Sequence, residues 1–549
     1  MGELHPSIAA AAVVGSTNSS LHLNGERGDQ MASAQTACCN CDPKSNGDGV
    51  LTSQPVTVET PTGGDGKHKL FLGTFIHSTS LAELKYRHKA AICVSKEGTI
   101  VAIEDECDWD RAEEVLFPRL GWSKDEVDVI STSEGQFFFP GFIDTHIHAP
   151  QYPNSGIFGK STLLDWLTTY TFPLEASLAD PAKARRVYGR CISKTLAHGT
   201  TCAAYYATID VPSTNLLADL CMAAGQRALV GKVCMDQLSP DWYREESAEV
   251  SLQAARDSIA HISKIDPGFQ TVKPIITPRF APSCSVELLG ALGRLHAETG
   301  LPVQTHISEN KGEIELVREM FCGGVNGSKC DIVEDVGETY AGVYDRYGLL
   351  TDKTILAHAI HLSEAEASLI SERGSKVSHC PCSNSSITSG AARVRWLLDK
   401  GIDVGLGTDV SGGYSPSILD AARQALLVSR HVALAGPGDC CDDSAKLSVE
   451  EVLYLATRGG AAVVGLEGRV GAFEVGFDWD AQLVALGSVG DDGMQEGAAS
   501  ASGEDNHQSN VDIFGWETWE ERIAKWLFNG DDRNTKRVWV RGRLVHSRK

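Results

Sequence analysis

From about residue 141 to residue 464, apolar strand-like runs alternate with helix-like stretches such as DPAKARRVYGRCISKTLAHG and SVELLGALGRLHAETG. Alternation sustained over roughly three hundred residues constrains the fold severely. Parallel strands need a long crossover to return the chain, and a helix is the usual crossover. The pattern predicts an α/β fold, a (β/α)8 TIM barrel over residues 141–464.

The flanks follow a different rhythm. KLFLGTFIHS and AAICVSKEGTIVAI read as strands around a Gly-containing turn, and DAQLVAL and RVWVRGRLVHS near the other end read the same way. A small flanking β-rich domain, a β-sandwich built from both chain ends, is expected over 67–140 and 465–549. Residues 1–66 are rich in Ala, Ser, Gly, Asn and Thr, and such a segment buries too little to offset its ordering entropy. Disorder is expected there. The cluster Cys38, Cys39, Cys41 lacks a second ligand pair, so exposed thiols are expected rather than a metal site. Two surface insertions are expected, one at 322–335 and a polar, mobile one at about 490–510.

Charge narrows the partners. The formal net charge of -23 argues against nucleic acid and against an anionic membrane, both of which select basic patches. No stretch approaches the length of a membrane span. The run Ala9 to Val14 has no basic region before it, so no secretory signal is expected, and Pro6 stands where a myristoylation site needs Ser or Thr. Sixteen cysteines show no regular framework. A cytoplasmic location is the resulting expectation.

The chemistry lies at the ends of the strand-like runs. FFFPGFIDTHIHAPQ ends in His146 and His148, two residues apart, which a strand turns to the same side. LPVQTHISE ends in His306, KTILAHAIH carries His358, and GIDVGLGTDVSGG ends in Asp409. Parallel barrels assemble their sites from several strands at that end. A lone histidine at a strand end is more often structural, but four such segments in order point to one metal site. Neutral imidazoles with a carboxylate suit zinc and leave a position for water. Zinc lowers the pKa of water from about 15.7 toward 7, which makes a hydrolytic nucleophile available.

PGFIDTHIH, HISE, ILAHAIHLS and GLGTDVSGG resemble the signature segments of the amidohydrolase superfamily. The closer resemblance is to the guanine deaminase family. It runs from about Lys69 to the C-terminus through LLDWLTTYTFPLEA, GTTCAAYYATI, GQRALVGKVCMD, VKPIITPRFAPSCS, SHCPCSNSS and GLGTDVSGGYSPSILDAARQA. The resemblance implies one zinc ion per chain, held by His146, His148, His306 and Asp409, with His358 beside the water and substrate. It implies guanine as substrate, xanthine and ammonia as products in purine catabolism, and a homodimer. It also implies no bridging lysine, and Lys232 and Lys273 read as internal residues.

Glu309, three residues after His306, is placed to shuttle protons; its alternative is an ordinary surface carboxylate. Asp409 can serve as ligand and proton partner. Gln151 and the pair Arg279–Phe280 match guanine-recognising positions, His306 borders the same substrate, and Pro150 departs from the small polar residue expected beside Gln151. Arg279 can donate to a purine O6, which adenine lacks; its alternative is a surface salt bridge. Cys380 and Cys382 are expected to pack, and His379 and Asn384 to support Asp409's surroundings.

Other classes fit less well. The unrelated zinc deaminase fold needs H-x-E with P-C-x-x-C; His296–Ala297–Glu298 supplies the first half, but Ser385 replaces the last cysteine. No P-loop, Rossmann fingerprint or H-E-x-x-H occurs. The remaining alternatives are a related deaminase or chlorohydrolase of cytosine, a triazine or an adenosine derivative, and a barrel scaffold without catalysis.

Overall fold

The computed structural model describes residues 66–548 apart from 161, 322–335, 436–441, 491–492, 494 and 496–508. The expectations for the N-terminal segment, its cysteine cluster, the insertion at 322–335 and most of that at 490–510 therefore lie outside the described residues.

The first strands are β1 (His68–Ser80), β2 (Glu83–Val94), β3 (Ile100–Glu104), β4 (Val127–Ser131) and β5 (Gln136–Pro140). The barrel strands follow: β6 (Phe142–His148), β7 (Thr200–Tyr206), β8 (Arg227–Gly231) continued by β9 (Val233–Cys234), and β10 (Val272–Pro274) continued by β11 (Thr277–Pro278). After them come β12 (Val303–Ile307), β13 (Thr354–His358), β14 (Lys376–His379) and β15 (Val404–Leu406). The chain ends with β16 (Ala481–Ala485), β17 (Gly487–Ser488), β18 (Asp512–Ile513), β19 (Thr535–Val540) and β20 (Arg543–Ser547).

Strands β6 to β15 form a (β/α)8 barrel with the interrupted β8/β9 and β10/β11 each counted once. One parallel arc runs β6–β7–β8–β10 and the other β12–β13–β14–β15. The arcs meet where Ile276 donates to Pro302 O at 2.9 Å and accepts from Gln304 N at 2.9 Å. The second seam forms where Asp409 N donates to His146 O at 2.9 Å and His148 N to Val410 O at 3.1 Å. That seam lies at the predicted metal ligands.

Every residue of β6 is buried, because its outer face meets helices and its inner face fills the barrel. The surrounding helices start where capping residues satisfy free backbone N–H groups. Asp180 accepts from Ala182 N before Pro181–Ala197, Ser247 from Val250 N before Ala248–Ile265, and Ser417 from Asp420 N before Ile418–Leu434.

Both chain ends enter one eight-stranded sheet, ordered β20-β19-β16-β5-β1-β2-β3 with β4 beside β1. Period-two alternation in the Phe137–Phe138–Phe139 run explains how β5 joins two cores. Phe138 faces Phe71, Phe75 and Trp479, whereas Phe137 and Phe139 face Trp526 of the helix Trp519–Asn529. The sheet passes into the barrel through Gly141, where a Cβ would stand 2.2 Å from the Thr201 side chain. No helix among the described residues is long and apolar enough to cross a membrane.

Candidate active site

His146 and His148 share one side of β6, as the two-residue spacing requires, with ring centroids 4.9 Å apart. His306 ends its strand opposite, its Nε2 3.2 Å from that of His148. Asp409 Oδ1 lies 3.1 Å from His146 Nε2 and 3.4 Å from His148 Nε2. His358 Nε2 lies 3.5 Å from Glu309 Oε2 and 3.8 Å from Asp409 Oδ2. The backbone helps to aim these groups: Ser308, His358 and Asp409 have φ of 49°, 73° and 46°. Non-glycine residues pay about 1–3 kcal/mol for such conformations, which persist where surrounding structure enforces them.

The donor set fits a metal ion. Burial lowers the pKa of His146, and lowers those of His148 and His306 far below the ordinary value, so each imidazole stays neutral. His306 Nδ1 donates to Arg279 O at 2.5 Å, which leaves its Nε2 lone pair for the cluster. His146 Nε2 is buried without a hydrogen-bond partner. Nitrogen lone pairs facing one another beside a carboxylate repel unless a cation lies between them.

Support comes from residues around this cluster. Asp144 accepts from Thr408 N at 3.0 Å, Thr408 Oγ1 at 2.6 Å and His146 N at 3.2 Å, so one carboxylate ties β6 to the Asp409 loop. His358 Nδ1 donates to Asn384 Oδ1 at 2.9 Å, which turns Nε2 toward Glu309 and Asp409. Asn384 thus touches the site through His358. His379 accepts from Gly407 N at 2.9 Å through its backbone oxygen, and its ring nitrogens are buried without a hydrogen-bond partner. Cys380 is near enough to offer a ligand atom with His146 and His358, within 4.8 Å. Burial raises its thiol well above the ordinary value, and Sγ lies 3.6 Å from Ser378 O as a packed donor. Lys232 is buried against Glu245 and Ser251, and Lys273 lies within β10.

Glu309 is buried rather than on the surface. Burial pushes its carboxyl up to about 7, against the pull of nearby His358. Ser389 Oγ donates to Glu309 Oε1 at 3.2 Å, and Glu313 accepts from the Glu309 and Asn310 N–H groups at 2.8 and 3.0 Å.

The predicted recognition residues line the same cavity, together with Leu163, Trp166, Leu167 and Ile387. Arg279 is buried, not a surface ion pair: its Nη1 and Nη2 donate to Glu175 at 2.7 and 3.2 Å. Gln151 Nε2 donates to Glu175 Oε1 at 2.8 Å. Sequence reasoning missed Glu175, although a carboxylate inside the apolar run LLDWLTTYTFPLEA must find partners once buried. It also missed Tyr206, whose ring lies 4.5 to 5.0 Å from those of His148, His146 and His306.

Three neutral imidazoles and a carboxylate at the C-terminal mouth of a parallel barrel, beside a buried acid, define a metal-dependent hydrolase. The amidohydrolase family model matches residues 137–545, and the chain belongs to that family. It is 48% identical over 476 residues to the probable guanine deaminase of Schizosaccharomyces pombe, covering 87% of this chain and 83% of that protein. It is 38% identical to the guanine deaminase of Homo sapiens, covering 87% and 96%. Among solved structures, guanine deaminase from C. acetobutylicum with guanine bound in its active site is 32% identical, with a TM-score of 0.72 over 87% of this chain and 100% of that one. The guanine deaminase of E. coli is 28% identical, with a TM-score of 0.70, over 88% and 100%.

Proposed function

We infer that this chain hydrolyses guanine to xanthine and ammonia. One observation carries the reading: His148, His306 and Asp409 of the metal-type cluster and the three predicted readers Gln151, Arg279 and Phe280 line a single cavity. The guanine deaminases to which the chain is similar support it.

His146, His148, His306 and Asp409 would hold one ion, which we assign as zinc. When bound, such an ion supplies the Lewis acidity that makes water a usable nucleophile near neutral pH. The net reaction forms a C2–O bond to the purine and breaks the C2–N bond to the exocyclic amine. Glu309 would move the water's two protons in turn, one to the ring nitrogen and one to the departing amine. A carboxyl pushed up to about 7 suits both directions. Asp409 would share that proton traffic, and His358 would orient the nucleophile. Arg279 would donate to O6, Gln151 would bond the purine edge, Phe280 would contact the ring, and His306 would border it. Closed around the base, these groups exclude water from the reacting face.

The same proposal includes a barrel over 141–464 with the β-rich part formed by 67–140 and 465–549. It also includes a homodimer, on family likeness, and a cytoplasmic role in purine catabolism. The nine buried cysteines among the described residues, all without disulfides, suit a reducing compartment.

The test is ammonia release by zinc-loaded protein from guanine, adenine, cytosine and a triazine, with Glu309→Gln as control. Release from guanine alone is expected, with the variant keeping its zinc and losing about 10²–10⁴-fold in turnover. Release from another base instead would discard the purine-edge assignment. A fully active variant would remove Glu309 from the chemistry.

A further inference from the structure

Glu175 has no exposed surface, and it is a carboxylate bonded to two residues that line the cavity, Gln151 and Arg279. Its two oxygens take four hydrogen bonds from three side chains. Arg279 donates through Nη1 at 2.7 Å and Nη2 at 3.2 Å, Tyr243 Oη donates at 2.8 Å, and Gln151 Nε2 donates at 2.8 Å. These donors come from three separate loops at the barrel mouth. The helix Phe172–Ala176 that carries Glu175 also offers the Phe172 ring, 5.1 Å from the Arg279 guanidinium carbon.

Two consequences follow. A carboxylate only accepts, so Gln151 must turn its NH2 group toward Glu175 and its oxygen away. That oxygen meets Ser411 N at 3.3 Å, which fixes the orientation from both sides. The second Nε2 hydrogen of Gln151 remains for a ligand. The paired guanidinium is likewise held in one plane, with its charge matched by a carboxylate. An Arg279 without that match would present a bare buried cation to a neutral base.

We propose that Glu175 is the positioning residue of the recognition end, setting the orientation of Gln151 and Arg279 and cancelling Arg279's charge so that the pocket accepts a neutral O6-bearing purine. This rests on the guanine reading above. Glu175 touches neither the metal-type cluster nor the proton-moving acid, so its role separates from chemistry. A loss confined to substrate binding raises KM and leaves kcat alone.

Glu175→Gln keeps the volume and sets an NH2 group against these donors. The expected result is a guanine KM raised about 10- to 100-fold, the worth of one charge-assisted hydrogen bond. kcat and zinc content should change little. The inhibition constant of 2-aminopurine, which lacks O6, should move much less than the guanine KM, whereas general loosening of the pocket would weaken both alike. Glu175→Gln/Arg279→Met leaves no unpaired buried charge and covers the case in which the single variant fails to fold. It should bind guanine about as poorly as Arg279→Met alone, because coupled residues are not additive. An unchanged KM, an equal loss for both purines, or a further tenfold or so loss in the double variant, against that non-additivity, would overturn the proposal. If the unmodified protein releases no ammonia from guanine, the functional reading falls and takes this one with it. Guanine turnover with an indifferent Glu175→Gln removes the positioning role alone.

Discussion

Asp144 shows how much a site depends on residues that touch no substrate. Its carboxylate joins the His146 N–H to the Thr408 backbone and hydroxyl, so it sets the separation between two of the proposed metal ligands. Partners of this kind are worth about 10–100-fold in metal affinity. Asp144→Ala should therefore weaken zinc binding by about that factor, with the circular dichroism spectrum retained; a competition titration against a chelator measures it, and unchanged affinity would refute the role. At this scale the convergence of His146 and His148 was legible, because their i, i+2 spacing has one geometric meaning in a strand. Glu175 was not legible. Its partners lie 24, 68 and 104 residues away, and nothing local marks a carboxylate as paired.

At the scale of the element, β15 is followed by a glycine, Gly407, that the site cannot replace. A Cβ on Gly407 would stand 2.7 Å from Ser378 Oγ, 2.9 Å from Cys380 Sγ and 2.9 Å from His146 Cβ. Overpacking of this kind costs about 1–3 kcal/mol. Gly407→Ala should lower the melting temperature and displace His146, so zinc content falls as well; retention of both would show that the wall yields.

Strand β1 makes a pH-dependent contribution. His77 Nδ1 accepts from Phe473 N at 3.4 Å, and burial, helped by Arg87, Arg458 and Lys85, lowers its pKa from 6.5 to about 3. Between those values the unfolded chain binds a proton that the folded chain refuses. The contribution is complete above 6.5 and is lost as pH falls toward 3, at about 1.4 kcal/mol per unit. Denaturant unfolding of His77→Gln across pH 6.5 to 4, the window its depressed pKa defines, should show a shallower loss than the parent chain. Equal slopes would exclude His77 as the acid-sensitive group. The strand was expected from its apolar pattern, but this burial comes from packing against a segment almost four hundred residues away.

Across the whole molecule, an ion cluster ties the barrel to the segment that enters the sheet. Arg227 of β8 donates to Asp480 at 2.6 and 3.1 Å, to Asp478 at 2.8 Å and to Gln270 O at 2.8 Å, and Arg227, Asp478 and Asp480 are all buried. Removing one partner of a buried pair leaves an uncompensated charge and costs about 3–5 kcal/mol. Asp480→Ala should lower the melting temperature markedly while zinc stoichiometry holds, and an unmoved transition would mean the pair contributes little. The sequence by itself determined the strand–helix alternation, the metal-type residues at strand ends and the pairing of the two β-rich ends, since each follows from local periodicity or from family strings. Only the tertiary structure decided which distant groups share a charge: Glu175 with Arg279 and Gln151, Asp144 with Thr408, Arg227 with Asp478 and Asp480. Pairing of buried polar groups is a demand the sequence states, but the partner that meets it is fixed only when the chain closes in space.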